Sequence, residues 1–203
     1  MRSLSEIETT SKRASKASGF SWGVSEEVGK AIRLLELFGF PGIRNINQYF
    51  IERKKKKFEQ INLIKKDNDQ KNLLFCPIIF GVNFMDQIKI IEKFEKINIS
   101  GLAFPLLVIP FLSKSSEIIG KKIHCKIDDD EFLLNLNVNI SSNILKYKDL
   151  KTSSNLQITF IENIDSFSNE VWKNLYKFSE ETFVEETDSL KKEAAGAGLN
   201  DND

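Results

Sequence analysis

Cysteine and histidine are almost missing from this chain, which has two Cys, Cys76 and Cys125, and one His, His124, in 203 residues. They form no Cys-x-x-Cys pair, and three soft ligands scattered in this way exclude a structural zinc site, which needs four. An excess of one charge is missing too. Its 29 Lys and Arg balance 29 Asp and Glu, which removes the electrostatic basis for nucleic-acid binding, where affinity rests on neutralising phosphates. The longest apolar run, Gly101 to Leu112, is interrupted by Pro105 and Pro110 and falls short of the roughly 20 residues of a membrane helix. The first 20 residues lack an apolar secretory core and carry Glu6 and Glu8, which transit peptides avoid. A phosphate loop, a dinucleotide fingerprint and a nucleophilic triad are also wanting. These absences point to a cytosolic protein with no metal, no cofactor, no membrane and no nucleic-acid partner.

What is present is enough apolar sequence, 41%, to build one core without staples, since a chain of this length buries roughly 70% of its unfolded surface. Lys, Ile and Asn are abundant, as in an AT-rich genome, so Lys/Asn clusters carry little weight as binding patches. Ser3-Leu4-Ser5-Glu6 reads as a capping box opening a helix from Leu4 to Ser18, stopped by Gly19. Val24, Val28, Ala31, Ile32, Leu35 and Phe38 repeat at the helical period and predict a second helix ending at Gly39. Pro41-Gly42 opens a third, with Ile43, Ile46, Tyr49 and Phe50 on one face. The runs Leu73 to Cys76 and Leu106 to Ile109 read as buried strands, with an amphipathic helix from Asp86 to Lys96 between them. A short helix from Phe111 to Ile119 follows, then a hairpin, Lys122 to Ile127 and Glu131 to Val138, turning at Asp128-Asp129-Asp130, and a strand from Leu156 to Ile161. Asn169 to Val184 reads as a helix capped by Ser168, with Val171, Trp172, Leu175, Phe178 and Phe183 available for packing. The fold class expected is α+β: a three-helix unit over 1–57 packed with a small mixed sheet in 73–184, the whole of 1–184 one domain, and a flexible acidic tail over 185–203.

Three stretches together resemble a known family: Gly19-Phe20-Ser21-Trp22-Gly23 followed by Glu26 to Ala31; Cys76-Pro77 with Gly81; and the terminal Gly196-Ala197-Gly198-Leu199-Asn200-Asp201-Asn202-Asp203. This pattern is similar to the bacterial family catalogued as domain of unknown function 3726. The resemblance implies a bacterial one-domain protein and directs attention to these three places. It assigns chemistry to none of them.

Read as chemistry, Glu26 and Lys30 stand four apart on one helix face. Glu26 or Glu27 would serve as a general base or polar anchor beside a pocket walled by Trp22 and Gly23, with Cys76 near it. The simpler reading of the same residues is an ion pair near a helix start and a Trp in the core. Gly29, in mid-helix, suggests close approach of a backbone or a ligand. Cys76 and His124 are the one thiol and base combination, and a buried inert thiol is the commoner state of such a cysteine. The run Arg53 to Lys57 reads as the solvated end of a helix. The tail residues Gly196, Gly198, Leu199, Asp201, Asn202 and Asp203 form an arm able to enter a cleft of this protein or of a protein partner. The expectation is an accessory or assembly protein of a metabolic system whose tail docks with that partner. The alternative is a small enzyme or ligand-binding protein using the pocket at Trp22, Glu26, Glu27 and Lys30.

Overall fold

The structure is a computed structural model and describes residues 2–61, 63–64, 73–135, 139–143, 152–153 and 155–182. It divides into two units, Met1–Asn163 and Ile164–Asp203. The predicted tail residues, Gly196, Gly198, Leu199, Asp201, Asn202 and Asp203, lie outside the described residues, as do Phe183 and the last residues of the expected hairpin.

Three helices open the first unit: α1 over Leu4–Ala17, α2 over Trp22–Leu37 and α3 over Gly42–Arg53. Each start has a physical cause. Ser3 Oγ accepts from the Glu6 amide at 3.1 Å and Ser21 Oγ from Val24 at 3.3 Å, satisfying amides that have no partner inside the helix. The capping box is only half made, because Glu6 turns its carboxylate to Arg2 at 2.9 Å. Gly19 and Gly39 stop the first two helices at φ 93° and 75°, a conformation that costs other residues strain. The α1–α2 crossing is built on small side chains: Ser11, Ser15, Ser25 and Gly29 are all buried. A Cβ on Gly29 would lie 2.8 Å from the Glu8 carbonyl oxygen. What approaches Gly29 is therefore a backbone.

The next helix, α4, spans Pro77–Ile91, which corrects the expected order of strand, helix, strand. Leu73 to Cys76 is no strand; only Phe75 bridges, and Cys76 caps α4. A proline at the first helical position has no amide to leave unpaired and its φ is already helical. Leu106 to Ile109 is also helical: a 3-10 turn over Pro105–Val108 runs into α5, Ile109–Ile119. Pro105 and Pro110 each open a helical segment here, and neither could donate to a sheet ladder. Phe104, just before, is buried with φ 45°, and its ring meets Tyr49 edge-on at 5.8 Å.

The strands are β1 Lys96–Ile99, β2 Leu102–Ala103, β3 Lys122–Ile127, β4 Asp130–Asn135, β5 Asn139–Ser142, β6 Thr152–Ser153 and β7 Leu156–Ile161. Five of them form a sheet in the order β1-β7-β3-β4-β5, and β2 pairs with β6. Every strand pair is antiparallel, so the expected mixed sheet is corrected. Among the described residues, parallel pairing occurs at the isolated bridges Glu59–Phe75 and Phe75–Leu102. Along β3, Ile123, Cys125 and Ile127 are buried while His124 and Lys126 are half-buried, the alternation of a sheet with one face on the core. That face joins Val28, Ile32 and Leu35 of α2, Tyr49 of α3, Phe80 and Phe84 of α4, and Leu112 of α5 in one cluster.

The second unit contains α6, Asn169–Glu180, capped by Ser168 Oγ on the Val171 amide at 3.2 Å. None of its residues is buried. Among the described residues no helix is long and apolar enough to cross a membrane.

Candidate functional site

Of the residues predicted around α2, the structure draws Glu27 and Lys30 into a cleft and leaves the others outside it. Glu27 faces α5. Its Oε1 lies 3.0 Å from Lys30 Nζ and its Oε2 lies 2.9 Å from Lys114 Nζ. Glu26 stands one residue round the helix and takes weaker pairings, 3.6 Å to Lys30 and 3.6 Å to Lys12 of α1. The i,i+4 pair legible in the sequence is thus longer than the i,i+3 pair beside it.

The cleft under this cluster has a volume of about 250 Å3, a floor of Leu34, Met85 and Phe111, and a lip of Glu27, Lys30, Lys114 and Glu117. That is just under the range of small-molecule sites, about 300–1,000 Å3. Burial alone would push the Glu27 carboxyl up, but the ammonium groups of Lys114 and Lys30 outweigh it and hold Glu27 below the ordinary value of 4.5. Lys30 is raised in turn by its hydrogen bond to Glu27. A carboxylate so stabilised accepts a proton poorly, and a general base works best with a pKa near the operating pH. The chemistry Glu27 can perform is to hold two ammonium groups in place over an apolar floor.

Trp22 and Gly23 are exposed at the start of α2, and Lys16 Nζ lies 5.3 Å from the Trp22 ring centroid. Trp22 is 59% exposed, so it is not core, and it does not line the Glu27 cleft. Cys76 lies nine residues before Met85 on α4, roughly 13 Å along the axis at 1.5 Å per residue. It is buried. Its Sγ accepts from the Ile79 amide at 3.4 Å and meets the Tyr49 hydroxyl at 2.9 Å. Burial first, and then the neighbouring Cys76, push the Tyr49 phenol far above its ordinary value of 10.0, so the hydroxyl keeps its proton. His124 has a different neighbour, Glu131 across the hairpin at 3.4 Å. The thiol and the imidazole do not share a site.

Lys114, Met85 and Phe111 complete the cleft and are absent from the predicted set. Nothing in a single sequence pairs Lys114 with Glu27 across 87 positions; only the crossing of α2 with α5 does.

A second feature has no counterpart among the predicted site residues. Val171, Trp172, Leu175 and Phe178 of α6 are each more than half exposed, and Phe167 stacks on Trp172 at 5.6 Å. At about 100° per residue these four, with Tyr176, fill an arc of about 160°, and Glu170, Lys173, Lys177 and Glu180 take the opposite side. The apolar periodicity here was legible as packing material, whereas its exposure was not.

Residues 2–73 match the model of the family described as Protein of unknown function (DUF3726). The match takes in α1, α2 and α3, with the Gly19 to Gly23 and Glu26 to Ala31 stretches that carried the resemblance. Cys76-Pro77, Gly81 and the terminal stretch fall outside it. No curated protein and no solved structure matches the chain.

Proposed function

We propose that this chain, whose residues 2–73 belong to the family of domain of unknown function 3726, acts in the bacterial cytosol as a non-catalytic accessory or assembly protein. Its C-terminal segment docks with a protein partner, with α6 lying in an apolar groove of that partner and residues 183–203 extending the contact. One observation carries the reading: α6 presents Val171, Trp172, Leu175 and Phe178 together, all exposed. Helix-in-groove recognition uses anchors at this spacing, and large exposed apolar patches mark interaction sites. Four such side chains supply about 8 kcal/mol at roughly 2 kcal/mol each, and association takes about 4 kcal/mol or more of it. The helix alone thus gives a weak complex. A tail contact would raise the affinity.

The ligand-binding reading ranks second because each cation at the Glu27 cleft already has a carboxylate: Lys30 and Lys114 pair with Glu27, and Arg33 lies 3.6 Å from Glu8.

The test is native mass spectrometry of the full chain isolated gently from its own host, tagged at the N-terminus. It compares the natural sequence with a Trp172→Ala, Leu175→Ala double variant. The expected result is a stoichiometric protein complex for the first and a bare chain for the second, with identical circular dichroism. A partner retained by the variant, or none bound to the natural chain, would refute the docking role.

A further inference from the structure

The run Arg53 to Lys57 does something that its composition does not announce. It bends around the turn that ends α1 and, with Phe50 and Phe58, lines an open cavity of about 490 Å3. Arg53, Lys54, Lys56 and Lys57 all face this space, and among the described residues none that lines it is acidic.

The ordinary reason for cations here is helix capping, since α1 and α3 both end at the cavity. Charge arithmetic tests whether that is sufficient. Each helix C-terminus carries roughly half a negative charge, and Glu52 pairs with Lys56. Two helix ends and one carboxylate offset about two of the four cations, so about two positive charges are left over. Among the described residues Lys54 and Lys57 have no ion-pair partner.

Arg53 is fixed in place. Its Nε donates to the Ser18 carbonyl at 3.3 Å, and its guanidinium lies 4.3 Å from the Phe20 ring centroid. A planar donor fork held this way matches phosphate oxygens at little further entropic cost. The walls add a second element. Phe50 and Phe58 both line the cavity and pack on Tyr49, at 5.8 and 5.1 Å between centroids; Lys56 Nζ lies 5.4 Å from the Phe58 ring centroid. The cavity's volume lies within the range of about 300–1,000 Å3 found for small-molecule sites.

We infer that the cavity between the C-terminal ends of α1 and α3 is a binding site for a phosphate monoester with a planar ring, the chemistry of a nucleoside monophosphate. The dianionic phosphate sits between Arg53, Lys54 and Lys57, and the ring lies against Phe50 or Phe58. The inference does not depend on the role of α6.

Calorimetric titration of the full chain with adenosine 5′-monophosphate, ribose 5-phosphate and adenosine reads this directly. The monophosphate should bind saturably, with adenosine undetectable and ribose 5-phosphate weaker than the monophosphate. A Lys54→Gln, Lys57→Gln variant should fold normally and bind the monophosphate about tenfold or more weakly, since removing a charge-assisted contact at each position costs at least a factor of several. Absence of saturable binding, or affinity unchanged in the double variant, would overturn the site. Ribose 5-phosphate binding as tightly as the monophosphate would overturn the role given to the rings.

Discussion

Glu27 shows what a residue's neighbours decide and its sequence position does not. Its two ammonium partners lower its pKa below 4.5, so the stabilisation it contributes is present above that ordinary value and is lost as pH falls through the lower, folded value. Lys30 is raised above 10.5, so its share is present below that pH and fades in alkali. Replacing Glu27 by Gln should cost about 1 kcal/mol at pH 7, because the pairs are partly exposed. The gap between variant and natural chain should close as pH falls well below 4.5. Urea unfolding at pH 7 and at pH 3 measures it; a gap that stays constant with pH would mean that the ion pairs contribute nothing. The Glu26 and Lys30 spacing was visible in the sequence, and so was a close approach at Gly29, though not whether a backbone or a ligand makes it. Lys114 was not visible, since its relation to Glu27 exists only where two helices meet.

At the scale of elements, legibility followed the strength of the local signal. Caps at Ser3 and Ser168, glycine stops at Gly19 and Gly39, and the strands β3 and β7 rested on local signals, and the structure follows them. The two apolar runs taken as strands became the 3-10 turn that leads into α5 and the approach to α4, because a short run of Leu, Ile and Phe fits a buried helix as well as a buried strand. Proline position was the stronger clue. The α4–α5 pairing that results is tight at Gly81, where a Cβ would come within 2.5 Å of two Phe111 ring atoms. Ala is favoured over Gly in a helix by about 1 kcal/mol, yet forcing a methyl into this contact costs about 1–3 kcal/mol or more. Gly81→Ala should therefore lower the urea midpoint. A rise would show that Phe111 moves aside freely.

At the scale of the molecule, the core is shared by helices and sheet, and both cysteines lie inside it. Burial pushes the Cys125 thiol well above its ordinary value of 9.0. A thiol-labelling reagent should therefore modify neither cysteine at once in the native chain, and labelling should quicken with urea in step with the unfolded fraction. A burst of modification without denaturant would show that the core opens locally. The α+β character was legible, because helices and strands announce themselves by period. The exposure of α6 was not, because an exposed helix face and a buried one have the same apolar pattern.

The strand order has a consequence for how the chain is made. β1 pairs only with β7, and β7 lies between β1 and β3, so two strands emerge from the ribosome before the one that joins them. Until Leu156–Ile161 is synthesised, β1 has no neighbour in the sheet, and β3 can pair only with β4. The helices from α1 to α5 are complete by then, which leaves the nascent chain with a helical half in hand and an unfinished sheet. Such long-range closure is slow and exposes strand edges while it waits. A chain that stopped anywhere between β5 and β7 would thus be not a shorter version of this fold but one in which β1 has lost its link to β3.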